Sequence, residues 1–400
     1  MMTLEQARAA IIADVGAATE TEMLSLNLAH GRFLAEDVCA RLDHPVFDNS
    51  AMDGYAVDAA DLHAHDLTLS VVGESRCGDC PQPLVPHSTT RIFTGAPVPT
   101  GANAVVIQEE VKLVGPKAVF PTDVESGQNI RYRGEDFHAG DMLYRAGRRL
   151  SAYDLALIST AGVAEISTFQ RPRALVIATG DELVTPGTPL KPGQVYESNR
   201  LATLLQLQEL GVVADDGGIV EDDPQVLKRV LKDSADYDFV ITSGGASVGD
   251  HDLVKQVFSQ IGEINFWKVN IKPGKPIAFG RMGSRTHFFA LPGNPVSSLV
   301  TFKLFVEPAL IAWHHAVPVW VELEAIAANG SDRAPGRTEF LRASLFTEHG
   351  RLFARALAGQ GSHMMGALRE TNGFIKVDAG SAGFGQGDRI VVIPLSLDWS

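Results

Sequence analysis

Near the N-terminus, Leu4, Ala7, Ala10, Ile11 and Val15 recur at a spacing that shares one helical face, and they predict a helix over 4–18. Residues 22–40 are mixed in pattern and end near a short strand. From about Pro45 to Asp136 the rhythm shortens. β-type runs at 67–72, 91–93, 104–109 and 117–120 are punctuated by Gly and Pro, which predicts a mostly β domain. A helical pattern returns at 151–161, through Tyr153, Leu155, Ala156, Leu157 and Ile158. The β stretch therefore reads as an insertion into an element built from both flanks.

From Pro172 to Ile311 apolar runs alternate with helical patterns. Strands are predicted near 173–179, 213–219, 238–242, 264–269 and 286–291, with a short one near 276–280. Helices are predicted near 199–210, 224–234, 251–260 and 295–311. Asp223-Pro224 supplies an N-cap and a proline suited to the first helical position. Such alternation implies βαβ units and a parallel sheet with helices on both faces. Beyond Pro318, strand patterns at 319–327, 338–345, 352–356, 373–377 and 389–393 predict a small β domain, sandwich or barrel. The organisation is multidomain α/β plus β. Segments 1–44 and 137–171 form a discontinuous linking domain, 45–136 the inserted mostly β domain, 172–317 the α/β domain and 318–400 the C-terminal β domain.

Candidate chemistry clusters after the α/β strands. His287–Ser298 carries an apolar strand, the turn Pro292-Gly293-Asn294-Pro295 and then a helical pattern. Asn294 suits an N-cap and Pro295 the first helical turn, so a helix N-terminus is expected at the carboxyl end of a strand. Open α/β sheets bind anionic ligands there. Arg173–Thr179 is followed by Gly180-Asp181-Glu182-Leu183, and Asp238–Thr242 by the Ser/Gly-rich run Ser243–Asp252. A glycine-rich turn leaves backbone N–H groups free to approach a phosphate. A fourth loop, Ile271–Pro276, carries Lys272 and Lys275, and Lys268 precedes it. Any one of these loops is equally a plain strand-to-helix turn. One shared site explains the four together better.

Charge narrows the classes. The chain has 400 residues and a formal net charge of −14, which argues against a nucleic-acid partner. An anionic small ligand would then need a local reversal of the field, by lysines or a bound divalent cation. No run of about 18 apolar residues exists and the first residues lack a secretory layout, so no membrane partner and a cytoplasmic location are expected. Cys39, Cys77 and Cys80 are too few for a disulfide framework. Cys77-x-x-Cys80 lacks a second pair, and His63, His65 and His87 show no recognisable ligand spacing.

Seven motifs, in order, resemble one family over nearly the whole chain. They are Phe47-Asp-Asn-Ser-Ala-Met-Asp-Gly-Tyr-Ala56, Thr94-Gly-Ala-Pro-Val-Pro99, Gln128-Asn-Ile-Arg131 with Arg133-Gly-Glu-Asp136, and Thr179-Gly-Asp-Glu-Leu183. Ser243-Gly-Gly-Ala-Ser-Val-Gly249, Ile271-Lys-Pro-Gly-Lys-Pro276 and Leu291-Pro-Gly-Asn-Pro-Val-Ser297 complete the set. The family is that of the molybdopterin molybdenumtransferases, or MoeA proteins, which includes the gephyrin E domain.

The resemblance implies ligation of molybdate to the dithiolene of adenylated molybdopterin, release of AMP and help from Mg2+. It implies a molybdopterin-binding α/β domain and an adenylyltransferase acting upstream. It also implies a homodimer whose active site is shared between subunits, the inserted β domain supplying the opposing wall. Catalytic roles fall to Asp53, Glu182, Asp222, Asp252 and Lys275, with Glu182, Asp222 and Asp252 as metal ligands. Substrate-binding roles fall to Thr94, Asp136, Ser243, Gly244, Gly245, Ser247, Gly249, Lys268, Lys272, Pro292, Asn294 and Pro295. Leu253 stands where the family often has an aromatic residue. Two other readings stay open: a molybdopterin adenylyltransferase, and a non-catalytic dimeric scaffold like gephyrin. The first would need neither the Asp53 motif nor the C-terminal β domain. The second would not need the full set of carboxylates and lysines.

Overall fold

The apolar runs between 172 and 291 form one six-stranded sheet in the computed structural model, which describes residues 1–16, 18–244, 253–266, 268–318 and 320–395. The strand order is Val213–Val220, Arg173–Thr179, Phe239–Ser243, Thr286–Leu291, Ala278–Met282, Glu263–Phe266. The first four strands are parallel; Ala278–Met282 runs antiparallel to both its neighbours, so the last two pairings are antiparallel. The expected parallel sheet therefore carries an antiparallel edge. Only residues 283–285 separate two of its strands, too few for a crossover, so they close a hairpin.

Alternate residues of each strand enter different cores. Val176, Ile241, Phe279 and Phe289 pack on one face with Leu207, Val300 and Phe305. Ile177, Val240, Ala278 and Phe288 pack on the other with Leu227, Leu231, Val254 and Phe258. Both faces are covered, which is why these strands read as continuous apolar runs. The helix Leu4–Asp14, capped reciprocally by Thr3 and Gln6, buries Leu4, Ala7 and Ile11 in the first core. It ends four residues short of the predicted span 4–18, and residues 1–22 group with 168–400 rather than with 137–167.

The helix predicted over 295–311 runs from Pro295 to Trp313, with a π turn at Phe302–Val306. Pro308 has no N–H to offer the Leu304 carbonyl one turn back. Arg8 fills the gap, its Nε donating to that carbonyl at 3.0 Å while the guanidinium lies 3.4 Å over the Trp320 ring. Burial pushes the Arg8 guanidinium down to about 10. By length and composition this helix would suit a membrane, with mean hydropathy 1.4, but 72% of that window is buried inside the protein.

Past this helix, five strands close on themselves. Thr338–Glu348 pairs with Arg351–Ala356, then Leu323–Ala327, Arg389–Pro394 and Gly373–Val377 follow, and the last pairs back with Thr338–Glu348. Of the sandwich and barrel alternatives, the pairing selects a closed barrel, filled by Ala327, Leu341, Leu345, Ile375 and Val392. Ile271–Lys272 adds a short parallel strand to it.

A second unit comprises residues 23–30 and 36–167. Its six-stranded sheet runs Ala104–Ile107, Gly54–Val57, Ser88–Ile92, Thr68–Ser75, Lys117–Val119, Lys112–Val114. Tyr55 and Val57 face one core and Ala56 another. Gly54 is obligatory here, because an added Cβ would lie 2.1 Å from the Val106 carbonyl oxygen. A helix at Ala59–Ala64, which the sequence pattern does not announce, is capped by Asp58.

In the same unit Asp154 is 3% exposed and accepts from Arg148 at 2.7 Å and from the Ser151 N–H and hydroxyl at 2.8 Å each. Burial opposes its charge, but these bonds outweigh burial and hold the carboxyl far below its ordinary value. A depressed carboxyl stabilises the fold above its unfolded value of about 4, and that stability is lost as pH falls through the folded value. We expect Asp154→Asn to cost about 2–3 kcal/mol at neutral pH. The gap in melting temperature between variant and wild type should narrow on acidification; identical melting at pH 7 would contradict this role.

Candidate active site

The parallel strands end together. Thr179 is in register with Val220, Ala178 with Ser243, and Ser243 with Leu291. Gly180-Asp181-Glu182, Glu221-Asp222, Gly244 and Pro292-Gly293-Asn294 therefore leave the sheet along one edge. The strand order also reverses here. The strand after Arg173–Thr179 lies on one side of it, and the next two parallel strands lie on the other. An open α/β sheet binds ligands at such a switch point.

At its centre, Gly244 adopts φ +88, and an added Cβ would stand 2.3 Å from the Thr179 carbonyl oxygen. Only glycine lets the chain turn this close to the neighbouring strand. A Cβ on Gly293 would lie 3.5 Å from the Gly244 Cα, so the Pro292–Asn294 turn packs beside it. The buried hydroxyls of Thr179 and Thr242 have no hydrogen-bond partner among the described residues. Ser243 is buried at the strand end. Gly245, Ser247, Gly249 and Asp252 lie outside the described residues.

The carboxylates form a like-charge group. Asp181 Oδ1 accepts the Asp222 N–H at 3.0 Å. Local desolvation, then the charges of Asp181 and Glu182, raise the Asp222 carboxyl above its ordinary value. Excess negative charge of this kind attracts a hard divalent cation, although Asp181, Glu182 and Asp222 do not bring one oxygen each within 4.8 Å of one another. Asp181 was not among the residues singled out by sequence. Its signal was its place two residues beyond the strand end, in the same turn as Glu182.

The Pro292–Pro295 turn differs from expectation in one respect. Asn294 occupies the N-cap position and Pro295 the first turn, yet the Asn294 side chain makes no capping bond. Pro295 has no N–H, and the Val296 N–H is taken by the Ser362 carbonyl at 3.2 Å. Asn294 is exposed. Asn199, unremarked in the sequence, donates from Nδ2 to the Gly293 carbonyl at 2.8 Å and ties the start of the helix Asn199–Glu209 to this turn.

The lysine loop divides. A Cβ on Gly274 would meet Thr301 Cγ2 at 2.4 Å and the Ser297 carbonyl oxygen at 3.7 Å, so the loop lies on the first turns of the helix after Asn294. The Lys272–Pro273 bond is cis. Lys272 Nζ is 2.7 Å from Glu339 Oε1, and Glu339 also faces Arg333 at 3.4 Å. The charge expected to meet an anion is thus engaged by a buried carboxylate of the barrel. Half-buried Lys275 and exposed Lys268 have no ion-pair partner among the described residues.

The second unit gathers its own motifs. Residues 48–51 bridge the turn at 94–98 and the segment 129–133. Gly95 donates to the Ser50 carbonyl at 2.8 Å, Ala51 to that of Asn129 at 2.9 Å, and Arg133 N–H to Asp48 Oδ1 at 2.8 Å. Asp53 Oδ1 accepts both the N–H and the hydroxyl of Thr94 at 2.8 Å, which keeps its carboxyl below the ordinary range. Asp136 is exposed, its N–H donating to the His44 carbonyl at 3.0 Å. The structure brings Asp53 and Thr94 into contact; Asp136 sits on a separate turn.

A glycine turn at a switch point, beside clustered carboxylates, places this chain among the open α/β proteins that bind ligands at the carboxyl ends of their strands. The comparisons with known proteins are specific. Residues 2–162 match the MoeA N-terminal region (domain I and II), 175–312 a probable molybdopterin binding domain, and 324–395 the MoeA C-terminal region (domain IV). A molybdopterin molybdenumtransferase of Haemophilus influenzae is 39% identical over 403 residues, covering 99% of each chain. One from a Nostoc species is 34% identical, over 94% of this chain and 89% of that one. A solved molybdopterin biosynthesis MoeA protein from Pyrococcus horikoshii superposes with a TM-score of 0.85 at 28% identity, over 98% of this chain and 100% of that one. The chain belongs to the MoeA family of transferases, which insert molybdenum during molybdenum cofactor biosynthesis.

Proposed function

We propose that this chain ligates molybdate to the dithiolene of adenylated molybdopterin and releases AMP, with magnesium at the carboxylate group. The observation that carries this reading is the common register of the strand ends, which sets Gly244 and Gly293 beside Asp181, Glu182 and Asp222. The loop opening at Ser243 would hold the phosphate-bearing part of the substrate with backbone N–H groups. Asp181, Glu182 and Asp222, with Asp252, would hold the cation. Magnesium, when bound, would polarise the phosphoanhydride. Lys275, with Lys268, would supply positive charge for molybdate in an acidic protein.

The deciding assay supplies adenylated molybdopterin, magnesium and molybdate, and measures AMP. Release only when molybdate is present supports the proposal. Formation of adenylated molybdopterin from molybdopterin and ATP would support an adenylyltransferase instead, and neither activity would leave the scaffold reading. An adenylyltransferase would act upstream, and the reaction belongs in the cytoplasm.

Removing one carboxylate should weaken metal binding more than the fold, since the group is exposed and hydrated. Glu182→Gln should raise the magnesium needed for half-maximal AMP release, with melting nearly unchanged. An unaltered magnesium requirement would remove Glu182 from the metal's surroundings.

We also propose a homodimer in which the Asp53–Thr94 motif of one subunit completes the site of the other. Asp53→Ala and Asp222→Ala chains should each be inactive alone. After subunit exchange, a 1:1 mixture should regain about a quarter of wild-type activity, because half the dimers would carry one intact site. No recovery from exchanged dimers would show that each subunit uses only its own residues.

A further inference from the structure

One cluster in the second unit takes no part in this chemistry. Asp61 and His65 lie one turn apart on the helix Ala59–Ala64 and its C-cap, and His87 precedes the strand Ser88–Ile92. Asp61 reaches across to His87. Its Oδ2 accepts the His87 N–H at 2.5 Å, and its Oδ1 lies 2.6 Å from His87 Nδ1. His65 Nε2 lies 3.5 Å from the same Oδ1, and the two imidazole rings have centroids 4.1 Å apart. One ligand atom from each residue falls within 4.8 Å of the others. No other group of three or more His, Cys, Asp or Glu ligands converges in this way among the described residues.

We propose that Asp61, His65 and His87 bind a first-row transition cation of the zinc class. Two imidazoles and one carboxylate select such a cation over magnesium, which prefers an all-oxygen shell. Three protein ligands leave a fourth, water-filled position. Metal–donor bonds of about 2.0–2.2 Å set tetrahedral donors about 3.2–3.6 Å apart. The His65–Asp61 distance already fits. The Asp61–His87 contact must open by less than about 1 Å, as its hydrogen bond gives way to two metal bonds. His87 would ligate through Nδ1 and keep its proton on Nε2.

The backbone is set for this arrangement. His87 has φ +62, a left-handed conformation uncommon for a side-chain-bearing residue. Asp61 holds it there by accepting from both its backbone and its ring. Burial opposes the Asp61 charge, but the His87 hydrogen bonds outweigh burial and keep the carboxyl below its ordinary value. The side chains are 17%, 40% and 62% exposed for Asp61, His65 and His87, so a cation enters from solvent without unfolding. Once bound, it would clamp the helix to the start of the strand.

The test uses the full chain without a histidine tag, stripped of metal and kept in excess magnesium. Zn2+ binding is followed by calorimetry, and Co2+ binding by its visible spectrum. One equivalent should bind. His65→Gln and His87→Asn should each weaken binding by about 100-fold, asparagine being chosen because it tolerates the left-handed backbone. Zinc should raise the melting temperature of the wild type and not of these variants. Melting without zinc checks that both variants fold; His65, on the exposed helix end, serves if His87→Asn does not. Cys77→Ser/Cys80→Ser should bind zinc as the wild type does. No zinc uptake by the wild type overturns the proposal. So does uptake that survives both histidine changes, or that vanishes with the cysteines.

Discussion

Gly244→Ala should lower kcat/KM for AMP release by about 100-fold or more, or about 2.7 kcal/mol of transition-state stabilisation. Two costs combine at this residue. Its φ of +88 is left-handed, which costs an alanine about 1–2 kcal/mol. The added methyl would also stand 2.3 Å from the Thr179 carbonyl oxygen. Thr179 is held in register with Val220 on the neighbouring strand and cannot yield. The loop must move instead, and its N–H groups move with it. Gly283→Ala is the control, with φ +60 and nothing within 4 Å of an added Cβ. It carries the conformational cost without the clash, at the hairpin on the other end of the sheet. It should lose a little stability and keep its activity. Equal loss of activity in both variants would assign the effect to general destabilisation, and full activity in Gly244→Ala would remove this turn from the site.

The α/β sheet was legible because its central strands are buried on both faces and its turns carry Gly, Asp and Pro. Arg173–Thr179 and Thr286–Leu291 are the strands that the apolar runs indicate. The antiparallel edge was less visible, since apolar runs at 264–269 and 276–280 carry no mark of direction. The barrel was open between two architectures, because closure depends on one long-range pairing, Thr338–Glu348 with Gly373–Val377. The helix Ala59–Ala64 was missed because it is short and adjoins turn-forming residues.

The site was legible as motifs, not as partnerships. Glu182 and Asp222 entered through the family resemblance, while the Asp181–Asp222 hydrogen bond joins two loops about 40 residues apart and leaves no local pattern. Asn199 acts through one amide on a distant carbonyl. Asn294 looked like a cap by identity and lost that role to Ser362, 68 residues later in the chain. Lys272 and Lys275 looked equivalent, and the barrel separates them.

That separation sets the second large effect. Molybdate is a dianion in a chain of net charge −14, so its site needs local positive potential. Lysine binds an oxyanion as a point charge, and its loss removes mainly Coulomb attraction. Lys275→Ala should raise the molybdate needed for turnover by about tenfold, equivalent to about 1.4 kcal/mol. The effect should shrink at high salt if solvent reaches the site. Binding of adenylated molybdopterin should weaken less, since the Gly244 turn is untouched. Lys272→Ala should behave differently. Lys272 Nζ is 2.7 Å from Glu339, which is 5% exposed, so its removal leaves a buried carboxylate with Arg333 as its remaining cation. Losing one partner of a buried charge destabilises the fold. Lys272→Ala should therefore lower the melting temperature while moving the molybdate requirement less than Lys275→Ala does. Equal rises in both variants, with unchanged melting, would return Lys272 to the anion site and make the Glu339 pair incidental. No rise in either would leave molybdate to other groups and these lysines to the fold.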